Sequence, residues 1–369
     1  MTPAAPSSVL VVVTRQIGDV LLTTPLIRRA RELWPDARID VLGFEGTLGM
    51  LRGNPDVNEV IAAGKRLGAG GGLRLARRLW RRYDLALVAE SSDRAHLIAW
   101  LAARRRHGLL PRDHGSNWWK RLTLAHVVES EGDTGEVHVV QEKLRLLEPW
   151  ALPAIARAVA PAATPLPAEI AAQLQPGAVV MHVPSMWPYK QWAPENFRVL
   201  AAELLARGHQ VVLTGTAGER DQECIAPLRG LAPAPRLLDL SGKLGLDQVG
   251  TVLAGAALYI GPDTSVSHLA AAVGVPTLVV FGPTNPQRWA PWPASGEAPL
   301  RFQRRASAQS AGNVTIVQAT LPCVPCSRAG CEDHLASRSD CLLRITPEEV
   351  LAQALALLAA RARRELEPH

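Results

Sequence analysis

The run SVLVVV at Ser8–Val13 is followed by a polar turn, TRQIGD, then VLLTTPLIRRARELWP, then a second apolar run, ARIDVLG. A short valine-rich run without polar alternation predicts a strand buried on both faces. In the next stretch Leu26, Ala30, Leu33 and Trp34 fall on one face at helical spacing. Thr24 before Pro25 is the expected N-cap and first helical position. Strand, helix, strand with short connections is the start of a parallel sheet. That order constrains the fold more than any other feature of the chain.

The alternation continues. NEVIAAG reads as a strand, GKRLGAGGG as a loop, LRLARRLWRRY as a basic helix, DLALVAE as a strand and RAHLIAWLAARRR as a helix. Residues 149–176 are rich in proline and alanine, the composition of a linker. A second series then begins at AVVMHV (178–183). ENFRVLAAELLARGHQ predicts a helix closed by Gly208. VVLTG, ALYIG and TLVVFG read as strands, and ERDQECIAPLRGL and DQVGTVLAGA as helices. The chain ends in a long helix whose Thr346 and Glu349 have capping-box spacing. The expected fold is α/β, with two doubly wound Rossmann-like domains facing a cleft and ligands beyond the carboxyl ends of the strands. The expected bounds are 1–165, 166–345 and a C-terminal helix at 346–369, free to pack back on the first domain.

A chain of 369 residues is too long for one core of ordinary size. Its formal charge of +6 favours anionic partners: nucleic acid, a phosphorylated sugar or an acidic membrane surface. The basic residues are scattered through helices with no nucleic-acid-binding module, so a nucleic-acid partner is not expected. MTPAAPSSVL lacks the pattern of a secretion signal, and no apolar run reaches the length of a membrane span. The expected location is a reducing cytoplasm. There is no GxGxxG after the first strand and no Walker lysine, which argues against a dinucleotide oxidoreductase or an NTPase.

Several residues carry candidate chemistry. Asp19, in the turn after the first strand, is either a general base toward a hydroxyl or a helix cap. Lys190, between Trp187 and Trp192, either neutralises a diphosphate or lays its stem on an indole. Asp263, Thr264, Ser265 and Ser267 crowd the mouth of a helix, where open N–H groups and the dipole attract phosphate. Asp263 would repel a phosphate, so it serves a sugar hydroxyl or a cap. Cys323, Cys326, Cys331 and Cys341 are spaced C-x2-C-x4-C-x9-C, which fits either a structural zinc or free thiols packed in an irregular loop. Basic residues cluster at 74–82, 104–106 and 117–121, and tryptophan beside Lys/Arg suits either a membrane interface or solvated helix faces.

Three segments together resemble glycosyltransferase family 9, the ADP-heptose:lipopolysaccharide heptosyltransferases: IGDVLLTTPLIRRARELWPDARIDVL, KQWAPENFRVLAAELLARGHQVVLTG and GPDTSVSHLAAAVGVPTLVVFGPTNP. The resemblance implies a GT-B fold and inverting transfer of heptose from ADP-heptose, with no cofactor required for catalysis. It matches Asp19 to the proposed catalytic base and Lys190 to the lysine on the donor phosphates. Glu219 matches the acidic residue on the adenosine ribose, Asp263 the one near the donor sugar, and His268 the histidine of the same motif. Thr264 and Ser265 complete the donor-binding set. Ser265 stands where the family often has glycine, and Val183-Pro184 where it commonly has Pro-Gly. RWAPW (288–292) resembles the subgroup that adds a branching heptose. The implied partners are ADP-heptose or a related nucleotide sugar and a lipid-linked anionic saccharide acceptor. The implied location is peripheral, on the cytoplasmic face of the inner membrane. Two alternatives stay open: a GT-B transferase or epimerase using another nucleotide sugar, and a non-catalytic protein that binds core oligosaccharide or anionic lipid.

Overall fold

The computed structural model describes residues 3–66, 68–112, 115–151, 156–296 and 302–366. The chain divides into two compact units, Met1–Ala162 with Gly296–Pro299, and Ala163–Ser295 with Leu300–His369.

In the first unit, the strands β1 (Ser8–Val13), β2 (Arg38–Phe44), β3 (Glu59–Ala63), β4 (Tyr83–Val88), β5 (Ala103–Pro111) and β6 (His126–Ser130) form one sheet in the order β3-β2-β1-β4-β5-β6. Every neighbouring pair is parallel. The helices are α1 (Ile17–Leu21), α2 (Thr24–Leu33), α3 (Ala69–Leu79), α4 (Asp93–Ala102), α5 (Trp118–Thr123) and α6 (Val139–Leu144). One core gathers Leu10 and Val12 of β1, Ala86 and Val88 of β4, Leu79 of α3, and Ala95 and Ala99 of α4. Strand order reverses between β1 and β4, and at such a switch point the connections leave in opposite directions and open a crevice at the carboxyl ends.

In the second unit, β7 (Val179–His182), β8 (Val211–Thr214), β9 (Leu237–Asp239), β10 (Leu258–Pro262), β11 (Thr277–Phe281), β12 (Ala308–Ala311) and β13 (Val314–Gln318) lie in the order β12-β13-β11-β10-β7-β8-β9. All pairs are parallel except β12 with β13. The helices are α7 (Ala168–Ala171), α8 (Pro194–Ala206), α9 (Glu219–Ile225), α10 (Leu246–Ala254), α11 (Ser265–Val273), α12 (Pro286–Trp289), α13 (Asp340–Leu343) and α14 (Pro347–Leu366). Here the order reverses between β7 and β10. The core joins Trp192 and Phe197 to Ile260, Leu278, Val350 and Ala354. No described helix is long and apolar enough to cross a membrane.

Several local readings change. TRQIGD is not all turn, because Ile17–Leu21 forms α1. The N-cap of α2 is Thr23, and Thr24 is its first helical residue; the two hydroxyls donate to the Asp19 and Leu21 carbonyls instead of capping. Arg104–Arg106 lie in β5, not at the end of a helix. The Arg106 guanidinium there bonds the carbonyls of Ala103 and Thr123. The proline-rich stretch is pinned, not loose. Val159 N–H donates to Thr24 Oγ1 at 2.8 Å and Ala162 N–H to the Arg52 carbonyl at 2.9 Å. Farther on, the Thr164 hydroxyl donates to Asp247 at 2.8 Å. Residues 152–155 of that stretch lie outside the described residues. The capping box at α14 forms, with Thr346 N–H on Glu349 Oε2 at 2.9 Å and Glu349 N–H on Thr346 Oγ1 at 3.3 Å. Within the second unit α14 packs on α8 and places Val350 and Ala354 in the core.

Candidate active site

Asp19 sits in the first turn of α1, just beyond the carboxyl end of β1. It does not cap the helix: Gln16 is the cap residue, and no side chain bonds there. The Asp19 main chain is held instead. Its carbonyl accepts from Thr23 Oγ1 at 2.7 Å and from Lys143 Nζ at 3.1 Å, and Lys143 also donates to Thr23 Oγ1 at 2.9 Å. Lys143 comes from α6 and is buried, so its ammonium works as a fixed clamp. The Asp19 carboxylate, 15% exposed, has Arg15 Nε at 4.0 Å. A carboxylate on a fixed backbone at a strand's carboxyl end has the placement of a general base.

Glu90 is a further candidate that no motif in the sequence singles out. It follows β4, on the other side of the same switch point, and is buried. Its Oε1 accepts from the Thr14 hydroxyl at 2.6 Å and from the Thr14 N–H, which ties the carboxyl ends of β1 and β4 together. Its Oε2 is buried with no hydrogen-bond partner. An unsatisfied buried carboxylate oxygen is costly and calls for a donor from a ligand. The available signal was an acidic residue closing an otherwise apolar run, DLALVAE, at a strand's carboxyl end.

The second unit brings several expected residues together at its own switch point. Lys190 leaves β7 on a short 3-10 turn (Pro188–Lys190), and Asp263 follows β10. Lys190 Nζ donates to Asp263 Oδ2 at 2.6 Å. Burial alone would raise the Asp263 pKa. The Lys190 ammonium, with His268 and the Thr284 hydroxyl, more than offsets that and holds the carboxyl below the usual carboxylate range. Thr284 lies in GPTNP, so the polar turn after β11 serves the same carboxylate. The lysine loop is stitched by Gln191, which accepts from Ser185 N–H at 2.7 Å and donates to the Val183 and Trp192 carbonyls at 2.8 and 2.7 Å. Trp192 is not a neighbouring surface indole. It is fully buried, stacks edge-on against Phe197 and donates to the Ile345 carbonyl.

Thr264 is the N-cap of α11, yet its hydroxyl makes no cap bond and lies instead against the buried Tyr259 phenol. Ser267 donates to the Pro262 carbonyl at 2.5 Å and shares a 2.9 Å bond with Tyr259 Oη. Capping therefore does not consume the hydroxyls, and the first-turn N–H groups keep their attraction for an anion. Ser265 is the first helical residue and is half-buried. Gly261 lets β10 pass here, since a Cβ would overlap the Tyr259 hydroxyl and stand 3.1 Å from the His182 carbonyl. His182 closes β7 with Nδ1 on Thr214 Oγ1 at 3.0 Å, and burial lowers its pKa to about 4. Glu219 opens α9 at the carboxyl end of β8 and is exposed.

The four cysteines near the end of the chain differ in burial. Cys323 and Cys331 are exposed, Cys326 is half-buried and Cys341 is buried. Burial and the neighbouring thiols push Cys341 up to about 12, so it stays a neutral thiol. Among the described residues no three His, Cys, Asp or Glu side chains converge to hold a metal ion.

Two doubly wound units, with carboxylates at the first switch point and a lysine–aspartate pair at the second, are a GT-B fold, and the family match makes the chain a glycosyltransferase. Residues 72–331 match Glycosyltransferase family 9 (heptosyltransferase), and the chain belongs to that family. It is 31% identical over 296 residues to Lipopolysaccharide heptosyltransferase 3 of Escherichia coli strain K12, covering 75% of this chain and 83% of that protein. It is 28% identical over 385 residues to Lipopolysaccharide heptosyltransferase 1 of Pseudomonas aeruginosa, covering 95% and 98%. The structure of E. coli ADP-heptose lps heptosyltransferase II shares the fold with a TM-score of 0.68 at 21% identity, covering 96% of this chain and 99% of that one.

Proposed function

We propose that the chain moves a heptose from ADP-heptose to the inner core of lipopolysaccharide, working as a peripheral enzyme at the cytoplasmic face of the inner membrane. The observation that carries the donor half is the Lys190–Asp263 pair at the mouth of α11. A cation, the N-terminus of α11 and a Thr264 hydroxyl that does not cap the helix suit a diphosphate, and a buried carboxylate suits sugar hydroxyls. The names of the related proteins support lipopolysaccharide as the acceptor and ADP-heptose as the donor.

The acceptor hydroxyl gives its proton to Asp19 as its oxygen bonds the anomeric carbon. The bond from that carbon to the phosphate oxygen breaks, and its electron pair leaves on ADP. Lys190 and the α11 N-terminus stabilise the departing charge. Glu90 Oε2 accepts a hydrogen bond from an acceptor hydroxyl, and Glu219 takes the ribose.

Substituting Asp19→Asn tests the base. Turnover should fall about 10²- to 10⁴-fold with ADP binding retained, and unchanged turnover removes the role. A thermal shift with ADP against UDP tests the donor. ADP at about 100 times its Kd adds about 2.7 kcal/mol of stability, and a preference for UDP overturns the heptose reading.

A further inference from the structure

Six of the eleven large hydrophobic side chains exposed among the described residues lie on or next to three helices of the first unit. They are Leu73 and Trp80 (α3 and the residue after it), Leu97 and Trp100 (α4), and Trp118 and Leu122 (α5). Their spacing, i+7, i+3 and i+4, puts each pair on one helix face. That face is not the one turned to the core. In α3 the core side is Leu75 and Leu79, in α4 it is Ala95, Ala99 and Ala102, and in α5 the buried residue is Lys120. An ordinary surface helix places polar residues where these helices place tryptophan and leucine. The helices are neighbours, because α4 packs against both α3 and α5.

The charge along α3 has one sign, while the exposed Asp93 of α4 is paired with Lys120 and Glu129 with Arg121 of α5. From Ala69 to Arg82 the sequence holds five arginines and no acidic residue. Arg78 and Arg82 are engaged by Glu59, whereas Arg74 and Arg77 are exposed with no acidic partner among the described residues. The Arg81 guanidinium lies over the Trp80 ring at 5.9 Å. Exposed indoles set among arginines match the boundary of an anionic bilayer, where the rings settle at headgroup depth and each cation gains from the surface potential. A protein partner of mixed charge does not call for this pairing.

We propose that the outward faces of α3, α4 and α5 are the membrane-docking surface of this protein and that their occupant is an anionic phospholipid bilayer. This deepens the peripheral location in the reading above and is independent of the transfer chemistry.

The test is co-sedimentation of the full chain with vesicles of phosphatidylcholine alone or mixed with phosphatidylglycerol, at low and high salt. The wild type should bind the mixed vesicles, bind phosphatidylcholine weakly, and lose binding as salt rises. The variant W100S/W118S/L122S changes only exposed side chains and should bind at least about tenfold less tightly. Arg74→Gln with Arg77→Gln should weaken binding in low salt and flatten the salt dependence. Circular dichroism and ADP binding check that each variant is folded. If the wild type ignores anionic vesicles, the peripheral location itself fails. If the wild type binds and the tryptophan variant binds equally, the surface assigned here is wrong. A concentration-dependent dimer in sedimentation velocity, abolished by the same variant, overturns the lipid occupant in favour of a second copy.

Discussion

Substituting Lys190→Met leaves the Asp263 carboxylate in place, only 5% exposed and without the cation 2.6 Å away. Removing one partner of a buried ion pair typically costs about 3–5 kcal/mol, because the other charge stays desolvated. Lys190 is 23% exposed, so water partly relieves the site, and we expect the low end, about 3 kcal/mol. Asp263→Asn leaves a partly solvated ammonium instead and should cost about 1 kcal/mol. The double variant then costs far less than the sum, with a coupling energy of about 2 kcal/mol. Guanidinium unfolding followed by tryptophan fluorescence reads this, with Trp192 reporting on the second unit. The pH dependence gives an independent sign. The folded pKa of Asp263 is held below its ordinary value, so its stabilising contribution is present above the unfolded pKa of about 3.9 and is lost as pH falls through the folded value. In Lys190→Met the raising effect of burial is no longer opposed by the ammonium. The gap between wild type and variant should be full at pH 7 and close in acid as the carboxyl takes up its proton in both. Strictly additive single effects, or a gap of the same size at pH 7 and pH 4, would refute this account of the pair.

Glu90→Gln keeps an oxygen on Thr14 but puts a donating amide nitrogen in place of the accepting Oε2; steady-state kinetics should show a raised acceptor KM with little change in ADP affinity, and an unchanged KM removes Glu90 from the acceptor site. Lys143→Met unclamps the Asp19 carbonyl and should lower kcat more than it raises the donor KM, whereas a loss of stability alone would make Lys143 a packing residue. His96, His107 and His182 are buried with pKa values lowered to about 4. The unfolded chain protonates them near pH 6.5, so each should withdraw about 3 kcal/mol as pH falls from 6.5 to 4. Denaturation midpoints across that window check the slope, and His182→Asn should flatten it.

The order of the fold was legible where apolar runs alternate with amphipathic ones, as in SVLVVV and LVVFG, because strands buried on both faces leave no polar residue to confuse the period. It was not legible at β5, where three arginines open the strand and continue the helical spacing of α4. Only the sheet's hydrogen bonds decide that Ala103 turns into the ladder. The second-unit site was half legible. Lys190 and Asp263 could each be named from their loops, but their pairing joins residues 73 apart in sequence, and it is set by β7 and β10 lying side by side. The same holds for Glu90, whose meaning comes from Thr14 on the adjacent strand. Trp192 misled because a tryptophan next to a loop lysine looks like a surface partner, while its indole N–H reaches back to Ile345 in the core.

The most direct measurement is turnover by the purified chain with ADP-heptose and a panel of truncated lipopolysaccharide cores. Mass spectrometry of the acceptor and assay of released ADP read it together. The account predicts one acceptor that gains a single heptose with one ADP released, and loss of both in Asp19→Asn while ADP still binds. ADP-heptose that binds without any acceptor gaining mass, or equal product from the Asp19→Asn chain, would contradict it.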